Sequence, residues 1–296
     1  MMRLKLGDDG FDLVLSYPQW QGSGRAENLH RGARAAAEIC GRYGPLENVP
    51  DAGPGETMGG VNRWTPIHAQ LLSAQAILNA RRPERVLTAG GDCACDIAVI
   101  DYLHRRYPNL TVIWVDAHLD ANTVETSPSG NFHGMPVATL MGSGPVDLRG
   151  ALSTPLPSAQ FRYVSAHVGD EGDWAFQRDA GLSWLEPGEV VSGPVHIHFD
   201  LDALDPLAFP YLAYPDGNLS IEDGLALIRR IAATGEIVGL TITEFAPADD
   251  KGAKDGSRLI AQLCEATRGA QRPRPEATPQ ESEQESGGAE PGVVDS

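Results

Sequence analysis

Apolar residues along this chain follow two rhythms. Short aliphatic or β-branched runs alternate with longer stretches in which apolar positions recur every three or four residues. The short runs predict strands over 12–16, 85–89, 110–116, 161–165, 195–200 and 237–244. The periodic stretches predict helices over 29–43, 66–80, 94–106, 221–233 and 257–268. Several strands, including VIWV in the third and IVGLTI in the last, are apolar on both faces. Two-sided burial with strand–helix alternation predicts an α/β fold, a mainly parallel sheet covered by helices.

Two connections break this rhythm. Residues 48–62 are rich in Gly and Pro, and residues 121–134 are polar and rich in Ser, Thr and Asn. Loops that long inside an α/β domain are usually functional or mobile. No internal repeat and no Gly-rich dinucleotide fingerprint is present. From residue 268 the composition turns to Pro, Glu, Gln, Ser and Gly with no aromatic residue. Such a segment cannot bury enough apolar surface to offset its ordering entropy. The reading is therefore one catalytic-sized domain over 1–267 and a disordered acidic tail over 268–296.

Charge narrows the function classes. The 296 residues carry 23 Lys plus Arg against 40 Asp plus Glu, a net charge of −17. A chain this acidic lacks the basic patches that nucleic acid or an anionic membrane needs. No apolar run approaches the ~20 residues of a membrane helix, and the first residues do not read as a secretory signal. Cys40, Cys93, Cys95 and Cys264 show no disulfide spacing. A reduced, cytoplasmic protein is expected.

The chemistry lies at the strand ends. In open α/β sheets, ligands bind beyond the carboxyl ends of the strands. The strand over 85–89 runs into Gly90-Gly91-Asp92-Cys93, and TVIWV runs into Asp116-Ala117-His118-Leu119-Asp120. VHIHF runs into Asp200-Leu201-Asp202, and VGLTIT ends at Glu244. In extended chain, positions i, i+2 and i+4 share a face, so Asp116, His118 and Asp120 can converge, as can Asp200 and Asp202. Acids crowded together away from water resist ionisation, and divalent cations resolve that conflict. Four Asp and one His suit hard-to-borderline ions such as Mn²⁺, with ligands enough for two. Two close ions can share a water and lower its pKa. Asp205, before Pro206, reads as a turn residue. His198 reads as a satisfied strand residue, and His30, His68 and His104 as helix residues without a role.

These segments together resemble the arginase/ureohydrolase family of binuclear manganese amidinohydrolases. GGDC at 90–93, DAHLDANT at 116–123, SGNFHGMP at 129–136, HFDLDALDP at 198–206 and TEFAP at 243–247 carry the resemblance, in the family's order. It implies a three-layer α/β/α domain with a mainly parallel, roughly eight-stranded sheet, and a trimer or hexamer. It implies that Asp116, His118, Asp120, Asp200 and Asp202 bind two divalent ions, expected to be Mn²⁺, with Asp116 and Asp200 bridging. His133 matches a proton-shuttling histidine, and Glu244 the carboxylate that receives a guanidinium group. Asn122, Ser129 and Asn131 match positions that hold a substrate α-carboxylate. The family's loop for the α-amino group is replaced by the segment over 166–171, in which Asp170 or Glu171 is the candidate. Cys93 occupies a position where the family usually has a histidine ligand. A thiolate there would shift preference toward Zn²⁺, Fe²⁺ or Co²⁺; the other reading is a buried neutral thiol. Cys95 reads as packing. The loop over 210–215, PYLAYP, is bulkier than the family's small-residue segment.

The function implied is hydrolysis of a guanidino amino acid, with L-arginine giving ornithine and urea. Nω-hydroxyarginine is the nearest alternative substrate, followed by agmatine, guanidinobutyrate and formiminoglutamate. A non-catalytic metal-binding relative is an alternative of another class. A Zn²⁺ deacetylase-like hydrolase fits the two-Asp DxD and Glu244 less well.

Overall fold

The computed structural model describes residues 10–24, 27–148 and 150–268. The predicted tail from 269 onward lies outside the described residues. The described residues form eight strands: β1 (Leu13–Tyr17), β2 (Leu46–Asn48), β3 (Val86–Gly90), β4 (Thr111–Val115), β5 (Phe161–Val164), β6 (Ser183–Trp184), β7 (Pro194–Asp200) and β8 (Glu236–Thr243). Their order across the sheet is β2-β1-β3-β8-β7-β4-β5-β6, and every pairing is parallel. The helices are α1 (Glu27–Cys40), α2 (Trp64–Arg81), α3 (Ile97–Arg106), α4 (Pro136–Ala138), α5 (Glu171–Ala180), α6 (Ile221–Thr234) and α7 (Asp250–Ala266).

Strand alternation builds the two cores. Leu13, Leu15 and Tyr17 of β1 and Val112 and Trp114 of β4 pack on one face with Ile67 and Leu71 of α2 and Leu103 of α3. Val14, Ile113, Val115, Ile197, Phe199 and Leu240 point the other way. They meet Ala36 of α1, Ile228 of α6 and Leu263 of α7. Each such fully buried aliphatic side chain contributes ~1.5–3 kcal/mol, so the central strands are fixed from both sides. The three-layer α/β/α arrangement follows.

All six expected strands form. β2 and β6, of three and two residues, were not expected. Both are outermost in the sheet, and segments so short carry no readable period. α5 was also unexpected. Its sequence, EGDWAFQRDA, has a weak apolar face, and its ends define it instead. Asp170 and Asp173 form a capping box at its start, and Gly181 closes it in the left-handed conformation at φ 68°. α7 begins at Asp250, not at 257, because Asp249 caps it by accepting from the Gly252 amide at 2.7 Å. Gly256, inside this helix, is a packing residue. A Cβ at Gly256 would lie 2.3 Å from the Phe245 ring.

The four strands whose ends carry the candidate chemistry, β3, β8, β7 and β4, are consecutive in the sheet. Crossovers through the helical layers bring their carboxyl ends side by side, although the segments are far apart in the chain.

Candidate active site

The site begins where these four strands stop. Asp116 follows β4, Asp200 closes β7, Glu244 follows β8, and Cys93 opens a helical turn two residues beyond Gly91. Asp116, Asp200 and Glu244 are fully buried, and Asp202, Cys93 and Asp120 nearly so. Two of the acids sit in left-handed backbone, Asp120 at φ 50° and Glu244 at φ 57°. For residues with a Cβ that conformation costs ~1–3 kcal/mol and clusters at functional sites. Tertiary hydrogen bonds hold both in place. The Glu244 amide donates to Gly91 O at 2.8 Å, and the Val137 amide donates to Asp120 O at 3.0 Å.

Ligand-type atoms of Asp116, His118 and Asp202 lie within 4.8 Å of one another, and so do those of Cys93, Asp116, His198 and Asp200. Asp116 belongs to both groups. Its Oδ1 accepts from the His118 amide at 2.7 Å and lies 3.3 Å from His118 Nδ1. Its Oδ2 accepts from Trp114 Nε1 at 3.0 Å. His118 Nδ1 is also 3.3 Å from Asp202 Oδ2. Asp200 Oδ1 accepts from the Asp202 amide at 2.7 Å, and its Oδ2 accepts from the Cys93 thiol at 2.9 Å. Cys93 Sγ is 3.8 Å and His133 Nδ1 3.7 Å from Glu244 Oε1. Asp120 stands outside both groups. Asp120 Oδ2, Asp202 Oδ1 and Glu244 Oε2 are buried without a hydrogen-bond partner.

Electrostatics match this picture. Burial pushes the Asp200, Asp120 and Glu244 carboxyls well above their usual range. Asp202 and Asp116 add to this at Asp200, Asp116 at Asp120, and Asp200 at Glu244. Burial, then Asp116, pushes Asp202 up to about 7. Burial, then Asp200, raises the Cys93 thiol. Burial opposes the His118 charge, but Asp116 and Asp202 outweigh it and raise that imidazole. The cluster gathers more acids than basic groups, an arrangement that positive charge from outside would stabilise.

Three expected substrate positions, Asn122, Ser129 and Asn131, lie in the loop over 121–134, which meets the loop over 48–62. Asn62 Nδ2 donates to Ser129 O at 2.8 Å and to Asn131 Oδ1 at 3.0 Å, and its amide donates to Gly130 O at 2.8 Å. Ser129 and Asn131 line a polar cleft of about 480 Å³ that Arg63 also lines. Asn122 Nδ2 donates to Asp170 Oδ2 at 3.1 Å, while Asp170 Oδ1 caps α5 through the Gly172 and Asp173 amides. His133, with a 19% exposed side chain, faces both Glu244 and the outside.

Sequence reasoning missed several neighbours. Asp216 Oδ2 lies 3.4 Å from His118 Nε2. The Tyr214 ring, from the bulky 210–215 loop, lies 5.0 Å from the His133 ring and edge-on to His118 at 6.1 Å. Its hydroxyl bonds to Ser23 O. Tyr214 could have been suspected only from the size of that loop. His198 has its ring hydrogen-bonded, as expected of a satisfied strand residue, but to Asp96 in the helical turn after β3, and it also borders the acid cluster. Asp96, its partner, gave no signal in the sequence. Asp205 makes the expected turn, its Oδ1 accepting from the Leu207 amide at 2.9 Å.

Comparison with known proteins agrees with this geometry. A family model described as the arginase family matches residues 50–268. An arginase of Saccharomyces cerevisiae is 30% identical over 189 residues, covering 54% of this chain and 56% of that protein. The chain thus spans just over half the length of that relative. An arginase of Coccidioides posadasii is 30% identical over 252 residues, covering 75% of this chain and 78% of that protein. The crystal structure of Entamoeba histolytica arginase in complex with L-ornithine matches in fold with a TM-score of 0.75 at 20% identity, covering 88% of this chain and 99% of that one. Among the described residues, no helix is long and apolar enough to cross a membrane.

Proposed function

This chain belongs to the arginase family, and on that premise we propose that it hydrolyses the guanidino group of an amino acid, L-arginine to ornithine and urea. The observation that carries this reading is the position of Asp116 in two ligand groups at once. A single carboxylate shared between two sets of donors is what a pair of close cations needs. The buried, unpartnered oxygens of Asp120 and Asp202 fit that occupancy, because a buried acceptor without a donor is costly. Cys93, Asp116, His118, Asp120, Asp200 and Asp202 would hold two divalent ions. The dominance of carboxylates favours Mn²⁺.

When bound, the ions lower the pKa of a shared water and stabilise charge on the tetrahedral centre. The chain's own groups do the rest. Asp120 accepts a hydrogen bond from the attacking water and aims it. Glu244, with Oε2 unpartnered and buried, receives the guanidinium in a charge-assisted contact that fixes its plane. Water oxygen adds to the guanidine carbon, the bond from that carbon to the side-chain nitrogen breaks, and the nitrogen leaves with a proton. His133, beside Glu244 and partly open to solvent, relays protons. Asn122, Ser129 and Asn131 hold the α-carboxylate and Asp170 the α-amino group. Arg63 in the cleft beside Ser129 and Asn131 supports a substrate with a carboxylate over agmatine.

The Cys93 thiol supports a second reading, Nω-hydroxyarginine as substrate. An N-hydroxyguanidine is less basic and more readily attacked than a guanidinium, which suits a site with a thiol among its donors. Urea release from arginine, agmatine and guanidinobutyrate, formamide release from formiminoglutamate, and hydroxyurea release from Nω-hydroxyarginine test both readings. Turnover of arginine supports the first. Inert arginine with active hydroxyarginine selects the second. No release from any compound by metal-loaded protein favours a non-catalytic family member. A homo-oligomer, trimer or hexamer, in the cytoplasm completes the proposal, and light scattering in solution reads the assembly.

A further inference from the structure

We infer that His198 supplies an imidazole ligand to the metal position at Cys93, held in place by Asp96 as a positioning residue. The inference rests on the two-cation reading of the site. It turns on how the His198 ring is held. His198 Nδ1 lies 2.9 Å from Asp96 Oδ2, which also accepts from His196 Nε2 at 2.7 Å, while Asp96 Oδ1 accepts from Thr241 Oγ1 at 2.6 Å. All four residues are fully buried. An ionised carboxylate only accepts, so His198 presents Nδ1–H to Asp96 and keeps its lone pair on Nε2.

Nε2 is on the other side of the ring, toward the acid cluster. It lies 3.4 Å from Thr243 Oγ1, whose single proton has Asp200 Oδ2 as acceptor at 3.3 Å. The Trp114 indole stacks on the imidazole, centroids 3.6 Å apart and planes 7° off parallel, and its Nε1 donates to Asp116. The ring therefore cannot turn away. Alternation along β7 puts His198 and Asp200 on the same face, and their ligand atoms lie within 4.8 Å of those of Cys93 and Asp116. An imidazole backed by a carboxylate, with its second nitrogen facing acids, is the usual arrangement of a metal-binding histidine. The set of one thiolate, one imidazole and two carboxylates is softer than the His118 group and suits Zn²⁺ or Co²⁺ as well as Mn²⁺. The imidazole thus arrives from β7, not from position 93.

Metal content and pulsed electron paramagnetic resonance of the full chain test this, using Mn²⁺ as the probe. Wild-type protein should hold two equivalents. His198→Asn should hold one while keeping its circular dichroism. Asp96→Asn should bind the weaker equivalent ~10–100-fold less tightly. In His118→Asn, nitrogen coupling to bound Mn²⁺ should persist, and it should vanish when His198→Asn is added. Two tight equivalents in both His198→Asn and Asp96→Asn would overturn the role of His198 and leave the two-cation site standing. A wild-type chain that takes up no metal would overturn the site itself. Should His198→Asn fail to fold, the His118→Asn spectrum decides, and absent nitrogen coupling there rejects the inference.

Discussion

Two sets of buried acids meet along β7, and the protein neutralises only one of them. Asp96 receives His196, His198 and Thr241 on its two oxygens. Burial works against its charge, yet His196 and then His198 outweigh burial and hold the carboxyl below its usual range. Even the space is prepared, because a Cβ at Gly239 of β8 would lie 2.1 Å from His196 Nδ1. The strand-end acids are as deeply buried, but donors reach only part of their oxygens. Asp120, Asp202 and Glu244 each keep an unpartnered oxygen, and burial with mutual repulsion raises their carboxyls. The difference separates a buried acid that belongs to the structure from buried acids arranged for something that comes from outside.

The sharpest break in this comparison is catalytic. Asp116→Asn removes the group shared by both donor sets. Metal ions supply several kcal/mol of charge stabilisation, so guanidine hydrolysis should fall by at least ~10³-fold; urea production measures it. Asp96→Ala should act on the other arm. Leaving the imidazole N–H groups buried without their acceptor should cost ~1–3 kcal/mol each. Chemical denaturation should show that loss with or without metal.

Acidity gives the next effect. Asp202 ionises near its ordinary 3.8 when unfolded but holds its proton up to about 7 when folded. The contribution of Asp202 to the stability of metal-free protein is therefore full below about pH 4 and is lost as pH rises toward 7. The fall should be on the order of a few kcal/mol. Melting curves in chelator should decline over that window, Asp202→Asn should flatten the decline, and Mn²⁺ should reverse it. A flat wild-type profile in chelator would place the strand-end acids with Asp96 as self-satisfied. The smallest effect belongs to Tyr214→Phe, which loses the hydroxyl's bond to Ser23 O and the one it accepts from Ser23 Oγ. A hydrogen bond of ~0.5–1.5 kcal/mol predicts a KM for the guanidino substrate raised less than about tenfold, with kcat little changed.

Much of this site was legible before any coordinates. Asp116, His118, Asp200, Asp202 and Glu244 follow recognisable apolar runs, and a run of that kind ends at the sheet edge where ligands bind. Elements whose definition is not periodic were not legible. α5 is set by its caps, and α7 starts at Asp250 because Asp249 caps it there. His198 shows the limit most clearly. In the sequence it is one more residue of an apolar strand. Only its stacking on Trp114 and its bond to Asp96, 102 positions away, give it a direction.

The sequence by itself determined the layered α/β architecture, the strand ends that carry acids, and the chemical types available there. Periodicity and residue type are local properties, and local properties survive in one dimension. The tertiary structure decided that β3, β8, β7 and β4 are neighbours, that Asp116 stands between two donor groups, and which buried acids are already paired. Those are facts of distance between remote segments. Whether a buried charge is satisfied depends on the few ångströms around it, which only the packed chain defines.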